Sequence, residues 1–161
     1  MVLAVLCQEH LLLLGPPGTA KSALSRRLSL SLNSTYFERQ LTRFSVPEEL
    51  FGPLSLKELQ NDKYIRNTEG YLPEATIAFV DEIFKANSAI LNTMLTLINE
   101  RQFDNGNQRT EVPLLCLVGA SNEPPEDDEL DALFDRFLFR RCAPPNPRRR
   151  ACPGIPHTCS C

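Results

Sequence analysis

Three short stretches of this sequence carry residues of the type and spacing that handle phosphate. Gly15-Pro16-Pro17-Gly18-Thr19-Ala20-Lys21-Ser22 follows the apolar run Leu11–Leu14 and opens a helical pattern. A strand, a Gly-rich loop and a helix in that order are the context a phosphate-binding loop requires. The free backbone N–H groups at the helix start, together with the helix dipole, favour an anion there. Lys21 adds a positive charge near the β and γ phosphates of a nucleotide, and Ser22 offers its hydroxyl to Mg²⁺. The general pattern has Gly where this chain has Ala20, a change expected to be tolerated if residue 20 is already helical. A plain Gly-Pro connection between a strand and a helix is the alternative.

The second stretch, Ile77-Ala78-Phe79-Val80-Asp81-Glu82, ends an apolar strand on two carboxylates. Asp81 is placed to hold Mg²⁺ through water or beside the Ser22 hydroxyl, and Glu82 to orient a water for attack on a γ-phosphate. Strands often end on solvated acids, so this pair takes its weight from the phosphate loop 60 residues earlier. Asn122 closes a third apolar run and is positioned to contact the γ-phosphate or the water from a neighbouring strand end. Arg136 follows the last helical pattern, where an ion pair with the adjacent Asp135 is the alternative to a functional role. His10 and His157 give no metal or triad pattern, and no nucleophile–base constellation is visible.

The elements that must hold these residues alternate. Leu11–Leu14, Tyr36–Leu41, Thr76–Val80 and Leu114–Ala120 read as strands, and Phe137–Phe139 as a last short one. A helix is expected from about Ala20 with Leu24 and Leu28 on one face. Ser45-Val46-Pro47-Glu48 has the form of a capping box opening a short helix toward Phe51. Residues 64–72 suggest a small hairpin around Asn67-Thr68-Glu69-Gly70. Asn87 caps a helix in which Ile90, Leu91, Met94, Leu95, Leu97 and Ile98 recur at helical spacing. Asn105-Gly106 is a hairpin turn signal. A final acid-capped helix carries Leu130, Leu133 and Phe134. Buried strands alternating with helices indicate an α/β domain with a largely parallel sheet.

Composition bounds the rest. The 161 residues suit one modest domain, and 42% hydrophobic with 23% charged residues is ordinary for a globule. The apolar N-terminus is interrupted at Gln8-Glu9-His10 and lacks a basic leader, so neither a membrane span nor a secretory signal is expected. A soluble intracellular protein is the expectation. Residues 1–141 hold 14 basic and 20 acidic side chains, a net charge of −6, which argues against a nucleic-acid surface. Residues 142–161 carry +3 and five of the thirteen prolines, so they are expected to be a disordered Pro/Cys/Arg-rich tail. Its cysteines (Cys142, Cys152, Cys159, Cys161) have no close Cys-x-x-Cys pair to favour zinc. Cys7 and Cys116, set among apolar neighbours, are expected to be buried free thiols.

Residues 10–141 resemble the nucleotide-binding core of an AAA+ ATPase of the MoxR family, nearest its regulatory-ATPase-variant-A (RavA) branch. The Gly-Pro-Pro-Gly-x-Ala-Lys-Ser loop is similar to that family's own form. So are Leu41-Thr42-Arg43-Phe44-Ser45, Glu49-Leu50-Phe51-Gly52-Pro53-Leu54-Ser55, Gly70-Tyr71-Leu72-Pro73-Glu74-Ala75, the stretch from Ile90 to Phe103, and Ala120-Ser121-Asn122-Glu123.

The resemblance implies a P-loop NTPase core with a five-stranded sheet flanked by helices. Gly15 to Ser22 would then be Walker A, Asp81 and Glu82 Walker B, and Asn122 sensor 1. Hairpin insertions would fall near 64–72 and 102–113. Arg136 would be the finger that reaches a neighbouring subunit's ATP. The implied activity is Mg²⁺-dependent ATP hydrolysis in a ring, usually a hexamer, that remodels partner proteins, often with a von Willebrand factor A-domain protein. The family continues into a helical lid bearing a sensor 2 arginine, whereas Arg140-Arg141 here runs into the Pro/Cys/Arg stretch. The expectation is therefore a copy truncated before its lid, or a gene model misread beyond codon 141. A nucleotide-binding but catalytically idle fragment that regulates full-length rings is the competing reading.

Overall fold

The computed structural model describes residues 1–123, 125 and 128–142. In chain order its elements are α1 (Val2–Leu6), β1 (Leu11–Leu14), α2 (Lys21–Leu32), β2 (Tyr36–Gln40), α3 (Glu48–Phe51), α4 (Leu56–Leu59), β3 (Ile77–Asp81), α5 (Ser88–Glu100), β4 (Gln102–Asn105), β5 (Gln108–Glu111), β6 (Cys116–Ser121), α6 (Asp128–Phe134) and β7 (Phe139–Cys142). Five strands form one sheet in the order β2-β3-β6-β1-β7, and every pairing in it is parallel.

The three inner strands are apolar up to their carboxyl ends, where β3 closes on Asp81 and β6 on Ser121, because both faces of the sheet are covered. Alternation sorts their side chains into two cores. Leu12, Ala78, Val80 and Leu117 face the side packed by α5, α3 and α6. Leu11, Leu13, Ile77, Phe79, Cys116, Val118 and Ala120 face the other, with Ala4 and Val5 of α1 and Leu28 of α2. Helix α5 buries Ile90, Leu91, Met94, Leu97 and Ile98 as its spacing predicts, and Asn87 Oδ1 accepts the Ile90 N–H at 3.0 Å as its cap. Among the described residues no helix is long and apolar enough to cross a membrane.

Several expectations are corrected. Helix α2 does not turn Leu24 inward: Leu24 is exposed, while Ser25 and Ser29 are buried. Their hydroxyls bond to nearby backbone carbonyls (Ser25 to Lys21 O at 3.2 Å, Ser29 to Ser34 O at 3.2 Å), which satisfies these small side chains within and just beyond their own helix. Ser45 does not cap α3. Its hydroxyl accepts the Thr42 N–H at 3.0 Å, and Pro47 occupies the cap position. Cys7 is exposed, as the residue that caps the C-terminus of α1. The last strand begins at Phe139 rather than Phe137 and includes Cys142, one residue beyond the expected boundary. Phe137 is instead fully buried in the turn before it. The remainder of the expected tail, from residue 143, lies outside the described residues.

Residues 64–72 are not a hairpin. Arg66 pairs antiparallel with Leu54, with Asn67 N–H donating to Pro53 O and Ser55 N–H to Ile65 O, both at 2.8 Å, so the arms enclose α4. The hairpin expected at Asn105-Gly106 is present as β4–β5. Asn105 ties the two excursions together like a strand neighbour: its Oδ1 accepts the Arg66 N–H at 2.6 Å and its Nδ2 donates to Arg66 O at 3.0 Å.

Candidate functional site

Register brings the candidate residues to one edge of the sheet. Leu14 lies opposite Ser121, and Ala120 opposite Asp81. The chain therefore leaves β1, β6 and β3 at nearly the same level, at their carboxyl ends. That is where ligands bind in open α/β sheets.

The loop after β1 is anchored at both ends. Gly15 N–H donates to Ser121 O at 3.0 Å, and Thr19 Oγ1 donates to Pro16 O at 3.1 Å. Lys21 Nζ donates to Gly15 O at 2.6 Å and to Ser121 O at 3.4 Å, so its ammonium rests inside the loop. Pro16, Pro17, Gly18 and Ala20 are exposed, and Gly15, Thr19, Lys21 and Ser22 half-buried. Ala20, the N-cap of α2, has no side-chain acceptor for the helix's first N–H groups. Those donors therefore remain available to an anion. The condition set for tolerating Ala20, that it be helical, is not met: it is left-handed, at φ 59° and ψ 27°. That conformation costs a residue with a Cβ about 1–2 kcal/mol.

Asp81 and Glu82 separate in role by environment. Asp81 is half-buried at the strand end, and its Oδ1 accepts the Glu82 N–H at 3.0 Å. Glu82 is buried and left-handed, at φ 54°. Its Oε1 accepts the side-chain amide of Asn122, and its Oε2 lies 3.4 Å from Lys85 Nζ. Asn122 itself is exposed on a turn held by Ser121, whose hydroxyl donates to Glu123 O at 2.7 Å. Tertiary folding thus joins Glu82 and Asn122, 40 residues apart in sequence. Lys85 is the site residue that sequence reasoning passed over. Its one signal was a basic side chain three positions after Glu82.

Arg136 is exposed in the turn after α6, its N–H donating to Leu133 O at 3.1 Å. Asp135 does not take it as a partner. The Asp135 carboxylate pairs instead with Arg140 Nη2 at 3.2 Å, and the Arg140 guanidinium lies 3.9 Å over the Phe134 ring.

An oxygen donor set of Ser22 hydroxyl and Asp81 carboxylate suits Mg²⁺, which is commonly held by one or two protein oxygens with water and substrate phosphates. Among the described residues, no three His, Cys, Asp or Glu side chains gather into a cage for a softer metal. Other titratable groups are structural. His10 is buried, accepting the Leu117 N–H on Nδ1 at 3.0 Å and donating from Nε2 to Ile98 O at 3.3 Å. Burial, chiefly, lowers its pKa to about 4. Burial likewise pushes the Cys116 thiol up to about 11, so it is no nucleophile.

Comparison with known proteins agrees with this architecture. The family model for the MoxR domain in the MoxR-vWA-beta-propeller ternary systems matches residues 1–149. Two uncharacterised proteins of Methanocaldococcus jannaschii are 56% identical over 139 residues, covering 86% of this chain and 37% of theirs. The chaperone MoxR1 of Mycobacterium tuberculosis is 27% identical over 87% of this chain and 37% of its own length. A crystal structure of a candidate ATPase from Cytophaga hutchinsonii superposes with a TM-score of 0.68 at 21% identity, covering 89% of this chain and 44% of that one. The chain thus spans little more than a third of the length of these curated relatives. With a family model matched over nearly its whole length and the strand-end site in place, the chain belongs to the MoxR family of AAA+ ATPases.

Proposed function

We infer that this chain binds Mg·ATP at Gly15 to Ser22 and hydrolyses it with Glu82. The observation that carries this is the convergence of loop, acid pair and Asn122 at one sheet edge, with Glu82 buried and held by the Asn122 amide. In this reading Lys21 leaves the Gly15 carbonyl for the β and γ phosphates, and the α2 N–H groups take phosphate oxygens. Ser22 and Asp81 would hold Mg²⁺, which when bound would supply neutralisation of charge on the phosphates. Glu82 orients and takes a proton from the attacking water as its oxygen bonds to the γ-phosphorus and the bond to the bridging oxygen breaks, releasing ADP. Asn122 senses the γ-phosphate, and Arg136 stabilises charge on a neighbouring subunit's ATP.

The family's MoxR-vWA context supports the wider proposal of a hexameric ring that remodels partner proteins with a von Willebrand factor A-domain protein. The RavA-like branch is proposed from the form of the loop together with the resembling stretches 41–45, 49–55, 70–75, 90–103 and 120–123. Titration calorimetry with Mg·ATP tests the core of this reading, with Lys21→Ala as control. Binding abolished in the control supports it. No binding by the folded chain refutes it.

A further inference from the structure

Lys85 has no part in the loop or the acid pair, yet it touches the reacting end of the site. It ends the 3₁₀ turn Ile83–Lys85 that follows Glu82, and its ammonium lies 3.4 Å from Glu82 Oε2. Glu82 Oε1 accepts the Asn122 amide. The carboxylate therefore meets a hydrogen-bond donor at one oxygen and a paired ammonium at the other, from separate elements.

Stability is a weak account of the pair. Glu82 is 10% exposed but the Lys85 side chain 49%, so solvent screens the attraction from the lysine side. Geometry offers a better account. The terminal torsion of a glutamate is broad, so an unheld carboxylate swings widely. A carboxylate has about four lone-pair sites, so holding each oxygen once leaves capacity to accept from a water.

The base beneath Lys85 is firm. Ile83 is fully buried, Phe84 packs on Phe134 at 6.1 Å between ring centroids, and Lys85 N–H donates to Glu82 O at 2.8 Å. The two holds also differ in what disturbs them. Asn122 reaches Glu82 across from β6, and an arriving γ-phosphate competes for its amide. Lys85 holds Glu82 from within the same turn.

We propose that Lys85 is a positioning residue for the attacking water. It keeps Glu82 Oε2 in place so that Oε1, released by Asn122 on nucleotide binding, faces the water. The proposal rests on the ATPase reading above.

Steady-state hydrolysis by the full chain tests it, alongside binding of a fluorescent ATP analogue. Lys85→Ala and the longer Lys85→Gln are expected to lower kcat about tenfold while KM and analogue affinity stay within about twofold. Lys85→Arg, which keeps the charge and reach, restores most of the loss. In a Glu82→Gln background, Lys85→Ala adds no further loss.

An unchanged or raised kcat in both Lys85→Ala and Lys85→Gln overturns the proposal. So does a loss that Arg does not rescue, or one that persists undiminished in the Glu82→Gln background. A wild-type chain that binds Mg·ATP without turning it over overturns the ATPase reading, and this proposal with it. Turnover indifferent to Lys85 overturns the proposal alone.

Discussion

The side-chain amide of Asn122 donates to Glu82 Oε1 across the ends of β6 and β3, linking the proposed sensor to the carboxylate proposed to orient the water. In the proposed mechanism an approaching γ-phosphate has a defined donor to draw away, and the buried carboxylate a defined position from which to be freed. Glu82→Gln is expected to keep ATP binding and lose turnover by about 10²–10⁴-fold, the usual worth of a general base. Asn122→Ala should also retain binding but lose turnover by about 10²-fold. Single-turnover hydrolysis and equilibrium binding measured together check both; loss of binding in either variant would contradict the assigned roles.

Arg136 is exposed and Asp135 is taken by Arg140, an arrangement that suits the proposed contact of Arg136 with a neighbouring subunit. Arg136→Ala is expected to cost turnover on the order of 10³-fold where subunits associate. It should cost nothing in dilute monomer. ATPase rate measured against protein concentration separates these, and an equal loss in dilute monomer would show that Arg136 does not act in trans.

His10 makes folding pH-dependent. Its pKa falls from 6.5 unfolded to about 4 folded, because burial disfavours the imidazolium. Between those values the unfolded chain binds the proton first, so stability is full above about pH 6.5 and falls as pH drops toward 4. The total is about 3 kcal/mol, at most about 1.4 kcal/mol per pH unit. Urea unfolding from pH 4 to 8, compared with His10→Gln, should show this component only in the wild type. Parallel curves for the two proteins would exclude it.

Two glycines separate clash from strain. At Gly52, φ is +93° and an added Cβ would lie 1.9 Å from Asn67 O; at Gly70, φ is +79° and the space is open. Gly52→Ala is expected to lower stability by about 2–4 kcal/mol and Gly70→Ala by about 1 kcal/mol. Thermal unfolding of both checks the ranking, and equal effects would show that the backbone around Asn67 yields freely.

The legible part of this protein was local. Leu11–Leu14 before a Gly-Pro-Pro-Gly loop, four apolar residues before Asp81-Glu82, and Asn87 before a helical repeat each state their structure within a few residues. Periodicity and cap chemistry depend on neighbours in sequence. The order of helices and strands therefore suffices for an α/β domain, and the loop and acid pair for phosphate chemistry.

Contacts between distant segments were decided only by the tertiary structure. The face of α2 that turns inward depends on what the sheet leaves room for, so Ser25 and Ser29 are buried where Leu24 was expected. Arg66 finds its strand partner at Leu54 and its side-chain neighbour at Asn105, neither marked by local spacing. Ala20 takes a left-handed conformation that its residue type disfavours, because the loop must close against β6 through Gly15 and Lys21. The grip of Lys85 and Asn122 on Glu82 arises where two strand ends meet at one level of the sheet. Sequence spelled out the reacting groups, whereas strand register set which of them touch, because a hydrogen bond requires about 3 Å in space whatever the separation along the chain.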